Sequence, residues 1–133
     1  MGYLIDTSVF IAWERGELDH AAIAAAGGED STAISAITAS ELLHGVERAE
    51  SAQRRAKRSR FVEAALSALP VLPFDLDVSR VHARIWADLR AKGELIGSHD
   101  LLIAATAIHH GLQIATCNER HFKRIEGLVV VRW

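Results

Sequence analysis

Short apolar runs alternate along this chain with stretches whose apolar residues recur at helical spacing, and that alternation is the strongest constraint on its fold. Residues 2–5, 32–35, 71–73, 112–116 and 128–131 read as strands. Between them, Val9, Phe10, Ala12 and Trp13 make one helical stripe, and Ala39, Leu42, Leu43 and Val46 make another. Residues 51–69 form a long helix, basic in its first half and apolar in its second. Val78, Val81, Ile85 and Leu89 follow, closed by Gly93, and then Leu101, Leu102, Ala104, Ala105 and Ile108, closed by Gly111. Strands separated by helices cannot pair as hairpins. They require crossovers, hence a mostly parallel α/β sheet with both faces covered. The 22 alanines, including runs at 21–26 and 104–107, favour helices that pack closely.

The chain has 133 residues, half of them hydrophobic and 24% charged, which predicts a single domain over 1–133 and argues against disorder. A lone cysteine, Cys117, excludes an internal disulfide and a thiolate zinc site. No apolar run approaches the ~20 residues of a membrane span, and the apolar fragment before Asp6 is too short for a signal-peptide core. The expectation is a cytoplasmic protein. A net charge of −2 removes global basicity as an argument for nucleic acid, leaving only a local patch.

The acids sit where strands give way to helices. Asp6 directly follows the first strand, where it serves equally as a helix cap or as a ligand at the carboxyl edge of a parallel sheet. Glu41 lies on the helix after the second strand, and Thr38 to Glu41 matches a capping box. Asp100 opens the helix 101–110, where the helix dipole favours a carboxylate. Asn118 ends the fourth strand, as a turn residue would. In a parallel sheet these positions converge on one edge. Three carboxylates there repel, and one stays protonated unless a hard cation such as Mg²⁺ neutralises them.

Four segments, Leu4-Ile5-Asp6-Thr7-Ser8-Val9, Glu41-Leu42-Leu43-His44-Gly45-Val46, residues 100–107 (DLLIAATA) and Thr116-Cys117-Asn118-Glu119-Arg120-His121-Phe122, resemble in order the motifs of PIN-domain proteins, and more narrowly of VapC-type toxins. The resemblance spans essentially the whole chain. It implies a three-layer α/β/α sandwich around a mostly parallel sheet of four or five strands. It also implies a ribonuclease dependent on Mg²⁺, with Mn²⁺ as a substitute. The acidic metal site maps onto Asp6, Glu41 and Asp100, with Asn118 as a fourth polar position and Ser8 and Thr116 as supporting hydroxyls. A small VapB-type antitoxin and a homodimer are the implied partners. Two positions depart from the family pattern. Asn118 stands where Asp is frequent, which favours one metal over two, and His121 replaces a frequent acid.

Metal-assisted hydrolysis then assigns Asp6 and Asp100 as ligands and Glu41 as the group that orients or deprotonates the attacking water. Positive charge for the RNA backbone is expected from Arg48, Arg54, Arg55, Lys57 and Arg58, extended by Lys123, Arg124 and Arg132. Trp13 and Trp86 read as core or interface residues, and His44, three residues beyond Glu41, as a histidine able to approach the acids. A dehalogenase-type phosphatase needs a second Asp where Ser8 stands, and a dinucleotide-binding domain needs a glycine-rich loop that is missing. The reading from another class is a non-catalytic PIN-like module that binds RNA or a partner protein.

Overall fold

The computed structural model describes residues 2–19, 21 and 30–133. Five strands appear: β1 (Tyr3–Ile5), β2 (Thr32–Ser35), β3 (Val71–Leu72), β4 (Gln113–Thr116) and β5 (Val130–Arg132). They form one sheet in the order β3-β2-β1-β4-β5, with every neighbouring pair parallel. Among the described residues there are five α-helices: α1 (Thr7–Glu14), α2 (Ala36–Glu47), α3 (Ala52–Ala68), α4 (Leu76–Ala91) and α5 (Ser98–His110). The alanine run at 21–26 falls almost wholly outside the described residues. The last strand starts two residues later than its apolar pattern predicts, because Gly127 takes a left-handed turn (φ 82°) and Val129 remains exposed.

The pleat explains why both faces need cover. Leu4 and Ala33 point into one core with Val78, Ile85, Leu89 and the α5 residues Ile103, Ala104 and Ala107. Their neighbours Ile5 and Ile34 point the other way, into a core with Val9 and Phe10 of α1, Leu42 and Val46 of α2, and Val62 and Ala65 of α3. This period-2 alternation yields two hydrophobic layers around one sheet, the three-layer architecture. The small residues of α5 lie completely buried, so its backbone approaches the sheet closely. Gly111 ends α5 with φ 65°, a conformation that costs glycine little, and Gln113 then enters β4.

The long helix α3 follows its pattern only in part. Its apolar half buries Val62 and Ala65, while its basic half is solvated. Trp13 packs against Phe61 at 5.1 Å, as a core aromatic should. Trp86 does not: it is 50% exposed and lies tilted on His82, because the α4 stripe buries Val78, Ile85 and Leu89 instead.

The sheet order reverses at β1. The chain moves outward through β2 and β3, then returns to place β4 on the opposite side of β1. At such a switch point the loops beyond neighbouring carboxyl ends diverge and leave a crevice. Phe122, fully buried, anchors the single 3₁₀ turn Glu119–His121 that follows β4 at this edge. Phe122→Ala should therefore cost about 3–5 kcal/mol of stability, measured by urea unfolding.

Candidate active site

Asp6 is the residue the structure constrains most. Ile5 pairs with Ala115, so Asp6, just past β1, lies beside Thr116, the last residue of β4. Asp6 N–H still donates to Ala115 O at 2.9 Å. The side chain caps α1 and is 4% exposed. Its Oδ2 accepts from Ser8 Oγ at 2.7 Å, from Thr116 Oγ1 at 2.9 Å and, more weakly, from Ser8 N–H at 3.4 Å. Ser8 Oγ accepts in turn from Cys117 N–H, and Thr116 Oγ1 from Asn118 N–H. The three donors to Asp6 all fall on one oxygen. Oδ1 receives none among the described residues, although no fully buried polar side-chain atom is left unpaired. Cap and candidate ligand are thus compatible roles: Oδ2 holds the backbone and Oδ1 remains for a partner.

Glu41 is placed differently from what its capping pattern suggests. Helix α2 begins earlier, at Ala36, with Ser35 as its cap accepting from Thr38 N–H at 3.0 Å. Thr38 is buried inside the helix, so Glu41 is an interior residue rather than the far end of a capping box. Thr7 Oγ1 donates to Glu41 Oε1 at 2.8 Å and stands 3.1 Å from Thr38 Oγ1, tying α1 to α2. His99 Nδ1 lies 3.5 Å from Glu41 Oε2.

Asp100 lies in the first turn of α5, and its Oδ2 is 3.1 Å from His121 Nδ1. Burial pushes its carboxyl above the ordinary carboxylate value, the Asp6 charge adds to this, and Glu41 adds less. His121 opposes both. Asp100 thus responds electrostatically to both other acids. Asn118 is at the same edge, capping the 3₁₀ turn with no side-chain cap bond, and it is exposed. Among the described residues, no three His, Cys, Asp or Glu side chains form a group able to hold a metal ion as they stand. The carboxylates instead rest on hydroxyl and imidazole partners.

The donor chemistry nevertheless fits a hard cation. Carboxylate oxygens of Asp6, Glu41 and Asp100 and the amide oxygen of Asn118 are the ligand type that Mg²⁺ and Mn²⁺ take. The nearby thiol does not compete, because burial raises the pKa of Cys117 and its Sγ is directed at Trp133 O.

Three residues that contact the acids escape sequence reasoning: Thr7, His99 and His121 in this role. Thr7 and His99 adjoin Asp6 and Asp100 in the chain, and that adjacency was the available signal. His44 is exposed, and among the described residues it makes no side-chain hydrogen bond or ion pair with the acids. The basic run 48–60 also divides. Arg54 pairs with Glu50, Arg55 with Glu47, and Arg58 with Glu14 at 2.9 Å. Arg58 additionally donates to Gly45 O at 3.0 Å, so it clamps α3 to α1 and to the end of α2. On the β4–β5 side, Lys123 and Arg132 share Glu119, and Arg124 donates to Leu95 O.

Two outcomes follow from this geometry. Asp100 keeps its proton in the folded state at pH values where the unfolded chain has lost it, so folding stability falls as pH rises above 3.8, the ordinary value. In EDTA, Asp100→Asn should remove that fall and leave the variant as stable as wild type or more so at neutral pH, read from melting temperatures across a pH series. Arg58→Ala should cost roughly 1 kcal/mol, discounted for its partial exposure, while Lys57→Ala should leave urea unfolding unchanged.

The chain matches a family model described as PIN domain over residues 3–128. Ribonuclease VapC1 of Rickettsia felis is 43% identical over 131 residues, which cover 98% of this chain and 96% of that protein. The tRNA(fMet)-specific endonuclease VapC of Salmonella typhimurium is 30% identical over 131 residues, covering 98% of this chain and 97% of its own. Among solved structures, DNA-bound VapBC from Salmonella typhimurium superposes with a TM-score of 0.89 at 29% identity, covering all of this chain and 98% of that one.

Proposed function

We propose an endoribonuclease function for this chain, which belongs to the PIN-domain family. In this reading it hydrolyses RNA phosphodiester bonds as the toxin of a toxin–antitoxin pair. Its relatives named ribonuclease VapC and its structural neighbours, the VapBC complexes, support both parts. The observation that carries the chemistry is the state of Asp6. It is a nearly buried carboxylate at the sheet's switch point, and among the described residues every donor to it falls on Oδ2 and none on Oδ1.

Asp6 and Asp100 are the proposed ligands of a divalent cation, Mg²⁺ or Mn²⁺, with Glu41 and Asn118 beside them. When bound, such an ion neutralises the carboxylates, polarises the phosphoryl group and makes water a stronger nucleophile. The chain's own residues do the rest. Ser8 and Thr116 fix Asp6 through its inner oxygen. Thr7 orients Glu41 through Oε1, and Oε2, with His99 Nδ1 3.5 Å away, is the oxygen proposed to accept a proton from the attacking water. His121 Nδ1 offsets the charge on Asp100. Asn118 adds an oxygen without adding charge, which favours a single ion. A cognate antitoxin is expected to meet the same acids with a guanidinium, since Arg binds carboxylates through paired N–H donors without a metal. No described helix is long and apolar enough to cross a membrane. A homodimer in the cytoplasm is the proposed setting.

The test uses purified protein freed of antitoxin, with cleavage of total RNA followed on gels. Cleavage is expected with Mg²⁺ and lost with EDTA. Loss of a residue that merely supports a metal ligand costs ~10–100-fold, so Asp6→Asn and Asp100→Asn should each lower the rate by at least about 100-fold. Cleavage that survives EDTA would remove the metal assignment. Pure wild-type protein that binds RNA but never cuts it points to the non-catalytic module.

A further inference from the structure

The acidic edge lies between two clefts, and each contains arginines that have no carboxylate partner among the described residues. One cleft, of about 160 Å³, runs between α1 and the α2–α3 pair, with Glu41 in its wall. Arg15 and Arg48 line it, both exposed, while the Glu14 charge in the same cleft is matched by Arg58. The other cleft, of about 470 Å³, has Asp100 and His121 in its wall. Arg120 and Arg124 line it, facing the apolar side chains of Leu95 and Ile96. Leu95 is 87% exposed, so its side chain is open to whatever enters this cleft.

Resting on the ribonuclease reading, we propose that the two clefts are halves of one track for single-stranded RNA, with Arg15 and Arg48 holding backbone phosphate on the Glu41 side and Arg120 and Arg124 holding it on the Asp100 side. Charge balance requires such flanks. A carboxylate edge repels a polyanion, so the strand must be held by cations on both sides of the bond that is cut. Guanidinium groups suit phosphate oxygens, and arginines already engaged by carboxylates have less to offer them. This shifts the contact away from the α3 run, where Arg54, Arg55 and Arg58 are paired, to Arg15 and Arg120, which no basic run marks.

The clefts differ in what they admit. Ligand sites for whole small molecules span ~300–1,000 Å³, so the smaller cleft suits phosphate alone and the larger one a whole nucleotide. Leu95 and Ile96 give a base an apolar wall to lie on while Arg120 and Arg124 take its phosphate. The Asp100 side is therefore where base preference arises, and the Glu41 side is indifferent to sequence.

The test measures binding without cleavage. Asp100→Asn protein in EDTA is titrated with a short fluorescent single-stranded RNA of mixed sequence at several salt concentrations, with anisotropy as the readout. Each phosphate contact on a single strand contributes about 0.7 to the slope of log K against log salt. Arg48→Ala and Arg120→Ala should each reduce the slope by about that amount, and the pair by about twice it. Arg84→Ala, which lines neither cleft, should leave it unchanged. Leu95→Ala should weaken binding with the slope intact. Parent-level slope and affinity in either Arg48→Ala or Arg120→Ala would overturn the track, even where the parent binds well. If the parent itself shows no salt-dependent RNA binding, the ribonuclease reading fails and the track with it.

Discussion

The carboxylate of Asp6 is held by two hydroxyls from opposite ends of the chain, and much of this molecule's organisation depends on that contact. Ser8 is two residues away, but Thr116 is 110 residues away and arrives only because β4 lies beside β1. The same Oδ2 caps α1, terminates β1 and closes the crevice between two strands. A nearly buried carboxylate is costly unless its charge is met by donors, and here three donors meet it on one side. The other oxygen has no donor among the described residues. One side chain can therefore hold the fold with one oxygen and, in the proposed function, take part in the chemistry with the other.

Charge around that contact is arranged in rings. Asp100 stands within the field of Asp6 and Glu41, and burial together with those two charges makes its carboxyl harder to ionise. Imidazoles and a threonine hydroxyl occupy their oxygens, so the three carboxylates can coexist without being gathered into one cage. Farther out, glutamates neutralise much of the basic helix α3, while Arg15, Arg48, Arg120 and Arg124, which have no carboxylate partner among the described residues, lie in the two clefts flanking the acids. The distribution matters more than the net charge of −2, which by itself speaks against a nucleic-acid partner.

Much of this was legible before any coordinates. Apolar alternation predicts five strands and a parallel sheet, and the boundaries differ by only one or two residues at β1, β3, β4 and β5. The acids were legible as candidates because strand-to-helix junctions in a parallel sheet collect at one edge. Where reading failed, a three-dimensional partner decided the outcome. The Thr38–Glu41 pattern is a plausible capping box, yet Ser35, leaving the buried strand β2, reaches the helix first. The α4 stripe buries three aliphatic residues, so of the two places expected for Trp86, core or interface, the core is excluded. The basic run looks uniform, but Arg58 is a structural clamp because Glu14 of α1 comes to lie opposite it.

By itself the sequence determined the periodicities, and with them the parallel sheet, the two buried faces and the junctions at which Asp6, Asp100 and Asn118 stand, with Glu41 on the helix that follows β2. Those properties depend on residues near one another in the chain, where spacing maps directly onto strand and helix geometry. Only the tertiary structure decided which oxygen of Asp6 is taken, that His99 and His121 rest on Glu41 and Asp100, and which arginines remain unpaired. Each of these depends on side chains from separate elements meeting across the strand order β3-β2-β1-β4-β5. Long-range contacts of that kind have no period in the sequence, because chain separation and spatial separation are unrelated once a sheet reverses its order at β1.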